Sequence, residues 1–179
     1  DTACKGCPRG RWSNETGLGR ESRCLNCDPG RYGLLEVGAQ SIESCRACDA
    51  GKFSVAVGAA DKQRTCKQCP KGFAQEREGQ AFCLPCMPGK SAGEGGQQAC
   101  DDCIVGSYSD ESEAMSCKDC EQGKYQPNNI SPSCLECDAG KYQASSGQSW
   151  CDPCDAGMYS NSSGATFCLE CDAGRHQPD

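Results

Sequence analysis

Leu, Ile, Val and Phe are scarce: 18 of 179 residues. Below roughly a fifth, a chain cannot ordinarily bury enough apolar surface to fold around one core. That shortage argues against a conventional globule. Histidine is nearly missing as well, His176 being the single one. No apolar run approaches the roughly 18 residues of a membrane-crossing helix, so direct membrane insertion is not expected. Excess positive charge is also missing. The 18 Lys and Arg face 25 Asp and Glu, for a formal charge of −7. This speaks against nucleic acid or an anionic membrane surface as partner. No signal-peptide pattern opens the chain, so the sequence reads as a mature product or an excerpt.

What the chain has is cysteine. Its 20 cysteines form ten Cys-x-x-Cys pairs: Cys4/Cys7, Cys24/Cys27, Cys45/Cys48, Cys66/Cys69, Cys83/Cys86, Cys100/Cys103, Cys117/Cys120, Cys134/Cys137, Cys151/Cys154 and Cys168/Cys171. The first three repeats are 20, 21 and 21 residues long and the next six are each 17. Self-similarity at such a period predicts a linear array. Its divisions are 1–69 (three longer modules), 70–171 (six short ones) and 172–179 (the start of an incomplete one). Modules in series are expected to touch only their neighbours. Cysteine at this density implies an oxidising setting, hence an extracellular protein, secreted or at the cell surface. Three sequons agree and mark Asn14, Asn129 and Asn161 for N-linked glycans, although Pro132 directly after the second works against its use.

The modules align on the second cysteine of each pair. Three residues later stands Gly in all ten, from Gly10 to Gly174. Such regularity predicts a positive φ or a close backbone approach. Five residues after the cysteine comes a ring in eight modules: Trp12, Tyr32, Phe53, Tyr108, Tyr125, Tyr142, Tyr159 and His176. His176 reads as a substitute for Tyr. Ala74 and Ser91 are the exceptions. Phe73 is expected to stand in for the first, while the Ser91 module should be the softest. A second Gly, ten or eleven residues after the cysteine, marks a turn before the chain returns to the next pair. Short β segments and turns follow, with no helix of consequence. The longer modules carry apolar runs, Leu34-Leu35-Glu36-Val37 and Ser54-Val55-Ala56-Val57, read as insertions that either pack locally or meet a partner.

Three cysteine registers are simple. A bond inside each pair would close a tiny, reducible loop and leave the long one unconstrained. Zinc could bridge adjacent pairs, since the spacing is close to that of zinc ribbons. Yet every gap carries the same Gly-x-aromatic motif, whereas ribbon gaps should differ in kind. The third register joins the second cysteine of one pair to the first of the next: Cys7–Cys24, Cys27–Cys45, Cys48–Cys66, Cys69–Cys83, Cys86–Cys100, Cys103–Cys117, Cys120–Cys134, Cys137–Cys151 and Cys154–Cys168. It leaves Cys4 and Cys171 unpaired within the chain. Thioredoxin-like chemistry needs one such pair at a helix start in a protein with a real core. Single carboxylates per module, such as Asp28, Asp49 or Asp138, are poor calcium ligands. They read as a solvated stripe, or as charges that set register with Arg11, Arg31, Lys52 and their equivalents.

The pattern Cys-Pro/Asp-x-Gly-x-aromatic, polar loop, Cys-x-x-Cys resembles the ephrin-receptor-like cysteine-rich repeat over the whole chain. It is also similar to the first half-module of tumour necrosis factor receptor cysteine-rich domains. In that half-module the cysteine before Gly-x-Tyr bonds to the next one downstream, which implies Cys69–Cys83 and the third register. The receptors' alternate half-module, with its interlocked bridges, has no cysteines here to build it. The expected fold is small, disulfide-rich and mostly irregular with short β segments, an elongated tandem-repeat rod without a single hydrophobic core. The expected function is non-enzymatic and needs no cofactor: a building block of a glycosylated extracellular filament, appendage, sheath or stalk. Its partners would be itself or other extracellular structural proteins. A ligand-binding receptor ectodomain is the alternative.

Overall fold

The computed structural model describes residues 4–34 and 37–175. The expectation for His176 lies outside them, as do Leu35 and Glu36. Nine two-stranded antiparallel hairpins follow one another among the described residues, each strand two or three residues long. In each, the fourth and fifth residues after a second cysteine pair with the two residues inside the next Cys-x-x-Cys. Lys124 faces Glu136 and Tyr125 faces Leu135 in the register Lys124–Tyr125 with Leu135–Glu136.

The hairpins start from a turn. Lys124 N–H donates to Glu121 O at 3.0 Å, and Gly123 between them has φ +77°. That is a type II turn, whose third residue must take positive φ, and Gly does so without a Cβ clash. A two-stranded hairpin this short is not stable alone. Nine disulfides close the loops, with Cα–Cα distances of 5.5–5.8 Å. The buried apolar side chains among the described residues are Cys and Ala alone. No Leu, Ile, Val or Phe is in that set, and the rings after the glycines stay half-exposed.

The chain divides into two compact units, 1–85 with 94–99, and 86–93 with 100–179. Inside the first, Cys48 N–H to Gly30 O (2.8 Å) extends the hairpin, and module meets module through Gly30 N–H to Ser54 O (2.7 Å), Gly33 N–H to Ala59 O (2.7 Å) and Gly58 N–H to Cys27 O (2.8 Å). Segment 94–99 joins this unit by the same bonds, Gly96 N–H to Cys69 O and Gln75 N–H to Gln97 O. Inside the second, the set recurs as Cys120 N–H to Gly106 O, Gly106 N–H to Gln126 O, Ser109 N–H to Ser131 O and Ile130 N–H to Cys103 O.

Contacts do not stop at the neighbouring module, which corrects the nearest-neighbour expectation. A Cβ placed on Gly10 would lie 2.2 Å from Gly58 O, two modules along. On Gly51 it would lie 2.1 Å from Gly96 O, and on Gly106, 2.1 Å from Gly147 O. The glycine thus serves twice, as the positive-φ corner of its own turn and as the notch that seats a later one.

Two loop expectations also change. Measured from the cysteine, Ser54-Val55-Ala56-Val57 occupies the same positions as in a short module, so it is no insertion. The extra residues of the long modules form one helical turn each, just before the next cysteine, Glu21–Arg23, Ile42–Ser44 and Lys62–Thr65, with one more ahead of Gly38. Asp61 caps the last by accepting Gln63 N–H at 2.9 Å. Nor do the apolar runs pack locally: Leu34, Val37, Val55 and Val57 are all exposed.

Candidate functional site

The repeated junction is where this chain's chemistry is concentrated. From Cys7 to Cys137 the second cysteine of the pair lies deepest. Cys27, Cys48, Cys69, Cys86, Cys103, Cys120 and Cys137 are essentially inaccessible. Each is joined to the first cysteine of the next pair, from Cys7–Cys24 to Cys154–Cys168. Sulfur committed in this way is not available to zinc. Among the described residues no three His, Cys, Asp or Glu side chains converge as a metal site requires. Cys4 is exposed and Cys171 half-buried, and both are free thiols.

A position that sequence reasoning passed over completes the junction. The sixth residue after the second cysteine is Ser or Gln in eight modules of ten, and the described ones are buried. Gln143 Nε2 donates to Trp150 O at 3.0 Å while its Oε1 accepts Ser145 N–H at 3.0 Å. Gln75 and Gln126 do the same with Phe82 O and Arg77 N–H, and with Ser133 O and Asn128 N–H. The shorter Ser13 and Ser54 accept only a nearby amide, from Glu15 and Ala56. A buried polar side chain is tolerated because its bonds are made. The signal was the recurrence of Ser and Gln at one fixed offset.

The ring position holds further corrections. Phe73 does not replace the absent ring, because it is the strand neighbour of Ala74, and adjacent strand residues point to opposite faces. Ala74 itself is buried. Ser91 is buried too, its Oγ 3.5 Å from Cys117 Sγ. The hydroxyl meets the next module's disulfide, so that site is occupied by a small side chain.

Charge works inside modules. Lys52 Nζ is 3.0 Å from Asp49 Oδ2, with Lys62 Nζ at 3.1 Å, and Lys118 Nζ is 2.7 Å from Asp110 Oδ1. Hydrogen bonds from Lys52 and then Lys62 hold Asp49 below the usual carboxylate range, and the same bond raises Lys62. Lys118 lowers Asp110 likewise and is itself raised. These pairs tie a module to itself, while backbone bonds set the register between modules.

Asn14, Asn129 and Asn161 are all exposed. Asn14 and Asn161 share one repeat position, seven residues after the cysteine. Asn129 sits two residues further on, and its Oδ1 accepts Val105 N–H at 2.9 Å. An open, polar cleft of about 680 Å³ in the first unit is lined by Arg31, Tyr32, Leu34, Arg46, Asp49 and Lys62, among others. A second of about 680 Å³ lies beside Cys4, Pro8, Leu18 and Val37.

The sequence model of the family described as tyrosine-protein kinase ephrin type A/B receptor-like matches residues 106–147 and, overlapping them, 140–179. No curated protein matches the chain. The matched segment has the same turn and disulfide as the modules before it, and the same notch at Gly106 and Gly123.

Proposed function

We propose, from the premise that residues 106–179 are ephrin-receptor-like cysteine-rich repeats of an extracellular disulfide-rich domain, that this chain is a non-enzymatic structural element. It serves as a building block of a glycosylated filament, appendage, sheath or stalk. The observation that carries the reading is the junction. One set of backbone hydrogen bonds, one disulfide and one glycine notch recur along each unit. Backbone bonds do not depend on side-chain identity, so loops can vary while the spacing of modules is kept. Glycans on Asn14 and Asn161 would stand at equivalent points of that frame. The test is immunoelectron microscopy of native material with an antibody to this chain. Label on a filament, sheath or stalk is expected, and diffuse label on secreted monomers would remove the reading.

A second reading, the ligand-binding ectodomain, is favoured by Leu34, Val37, Val55 and Val57, which stand exposed on the longer modules, Leu34 in the charged cleft. If deleting residues 1–69 leaves every hit of an extracellular-protein binding screen unchanged, that reading fails.

A further inference from the structure

Two steps of the array share one backbone and differ in charge. At the first, Tyr108, Glu121, Lys124, Ser133 and Cys134 line a small open cleft of about 150 Å³. Two modules further on, at an offset of 34 residues, the same positions hold Tyr142, Asp155, Met158, Phe167 and Cys168. The backbone repeats at that offset. Gly106 N–H to Gln126 O returns as Gly140 N–H to Ser160 O, and Ser109 N–H to Ser131 O as Gln143 N–H to Ala165 O. Ile130 N–H to Cys103 O returns as Gly164 N–H to Cys137 O, and Lys124 N–H to Glu121 O as Met158 N–H to Asp155 O. The largest difference among these bonds is 3.2 against 3.0 Å. The disulfides Cys120–Cys134 and Cys154–Cys168 correspond as well. The second set of side chains therefore stands around the same frame.

In the first step the charges are answered. Lys118 faces Tyr108 across the hairpin and is 2.7 Å from Asp110, and Lys124 is 3.3 Å from Glu121. In the second step both lysines are gone. Asp152 takes the place of Lys118 and faces Tyr142. Met158 takes the place of Lys124, so Asp155 has no lysine three residues on. Neither carboxylate makes an ion pair among the described residues. Lys141 is the strand neighbour of Tyr142 and so lies on the opposite face. Ser133 is replaced by Phe167, 63% exposed. Trp150, 56% exposed, donates its indole N–H to Asp152 Oδ1 at 3.2 Å. Tyr142 is half-exposed.

Nothing in the fold asks for this set. Rings left in water forgo the gain of burial, and the other step keeps the same frame without them. Three rings and two carboxylates with no cation among them match one kind of group. A guanidinium stacks on ring faces and offers carboxylates a planar fork of N–H donors. A neutral sugar would use the rings and leave the carboxylates idle, an anion would be repelled, and a calcium ion needs more oxygens than two side chains bring.

We propose that Tyr142, Trp150, Asp152, Asp155 and Phe167 form a binding site for an arginine side chain of a basic partner protein. Tyr142 and Trp150 stack on the guanidinium, while Asp152 and Asp155 accept its N–H groups. Trp150 holds Asp152 by Oδ1, and Oδ2 is the oxygen offered to the ligand. The unit that carries the site has 5 Lys and Arg against 14 Asp and Glu. That excess of negative charge draws a basic partner in and makes the contact sensitive to salt. The site uses one module step, so it stands apart from the filament reading.

The experiment is an NMR titration of the nitrogen-labelled 179-residue chain with three blocked tripeptides: acetyl-Gly-Arg-Gly-amide, its citrulline analogue and its lysine analogue. The reporter is the indole N–H signal of Trp150, assigned with W150F, and Trp12 is the internal control. The arginine peptide should shift the Trp150 signal to saturation with a Kd of roughly 1–10 mM, as befits one side chain. Binding should weaken severalfold from about 0.05 to about 0.5 M salt. Citrulline keeps the shape and loses the charge, and should bind at least about tenfold more weakly. Lysine should bind severalfold more weakly than arginine. Met158→Lys gives Asp155 the partner that Glu121 has, at a position where the frame already accepts lysine. It should keep the melting temperature and lose at least about tenfold in affinity, as should Asp152→Asn. Each variant is checked for its nine disulfides by peptide mapping. A Trp150 signal unmoved by about 50 mM arginine peptide overturns the proposal. So does citrulline or lysine binding as tightly as arginine, or a Met158→Lys chain that binds like the parent. Filament labelling in native material without arginine binding would sink this site and leave the structural reading standing.

Discussion

The three long modules and the six short ones have different loops and the same junction. Cysteines are 17 or 18 residues apart in the first set and 14 in the second. Yet Gly58 in a long module and Gly147 in a short one make the same bond to a cysteine carbonyl, at 2.8 Å. The surplus is taken up by a helical turn placed after the seated turn and before the next cysteine, apart from one residue ahead of Gly38. Length added there moves no group of the junction. The comparison teaches that the repeat is defined by a few backbone positions counted forward from the second cysteine, and that the return path is free to vary.

If that is right, the notch should be equally intolerant in both sets. Gly51→Val and Gly106→Val each put a Cβ about 2.1 Å from a carbonyl oxygen and force a left-handed residue. Each should cost about 3–5 kcal/mol, read as faster amide hydrogen exchange in the modules that share the notch. Gly157→Val has φ +84° but nothing among the described residues within 4 Å, so about 1–2 kcal/mol is expected. Equal losses at all three would remove the notch from the account.

Removing a disulfide comes next in size. Cys48→Ala/Cys66→Ala and Cys103→Ala/Cys117→Ala should each lose about 3 kcal/mol in denaturant titration. The longer loop should lose only about 0.2 kcal/mol more, because closure entropy grows slowly with length. A much larger gap would mean that the long modules lean on their bridges in another way.

Excising Lys62–Thr65 converts a long module to the short length. The change expected is under about 1 kcal/mol, with all nine disulfides re-formed in peptide maps. Scrambled bonds would show that the helical turn directs pairing.

The smallest effect is acid sensitivity. Asp49 is depressed by its bonds from Lys52 and Lys62, so its contribution is present above the ordinary Asp value and fades as pH falls through the lowered one. Lys62 is raised, so its share persists until pH climbs through that raised value. Asp110 with Lys118 follows the same signs in a short module. Melting temperature should drop slightly and alike for Asp49→Asn and Asp110→Asn at pH 7, with both differences gone in strong acid. A difference that survives there would trace to packing.

Much was legible because it is local. A type II turn needs Gly at its third residue, so ten equally placed glycines announced ten turns. A chain with so few Leu, Ile, Val and Phe had no hydrocarbon core to build, and the buried set is sulfur and Ala. The role of Gln75, Gln126 and Gln143 was written at a fixed offset but looked like solvated loop. Exposed and buried glutamine are the same letters until the neighbouring carbonyl is in place.

What residue order alone settled was the module: its turn, its hairpin and the oxidised class to which it belongs, each a matter of a few adjacent dihedrals. Which later turn enters which notch was settled only in three dimensions. Reaching two modules along depends on how successive hairpins are rotated, and no single residue encodes that rotation. For the same reason Tyr108 and Ser133, 25 positions apart, come to line one cleft only once the backbone bonds between modules have formed.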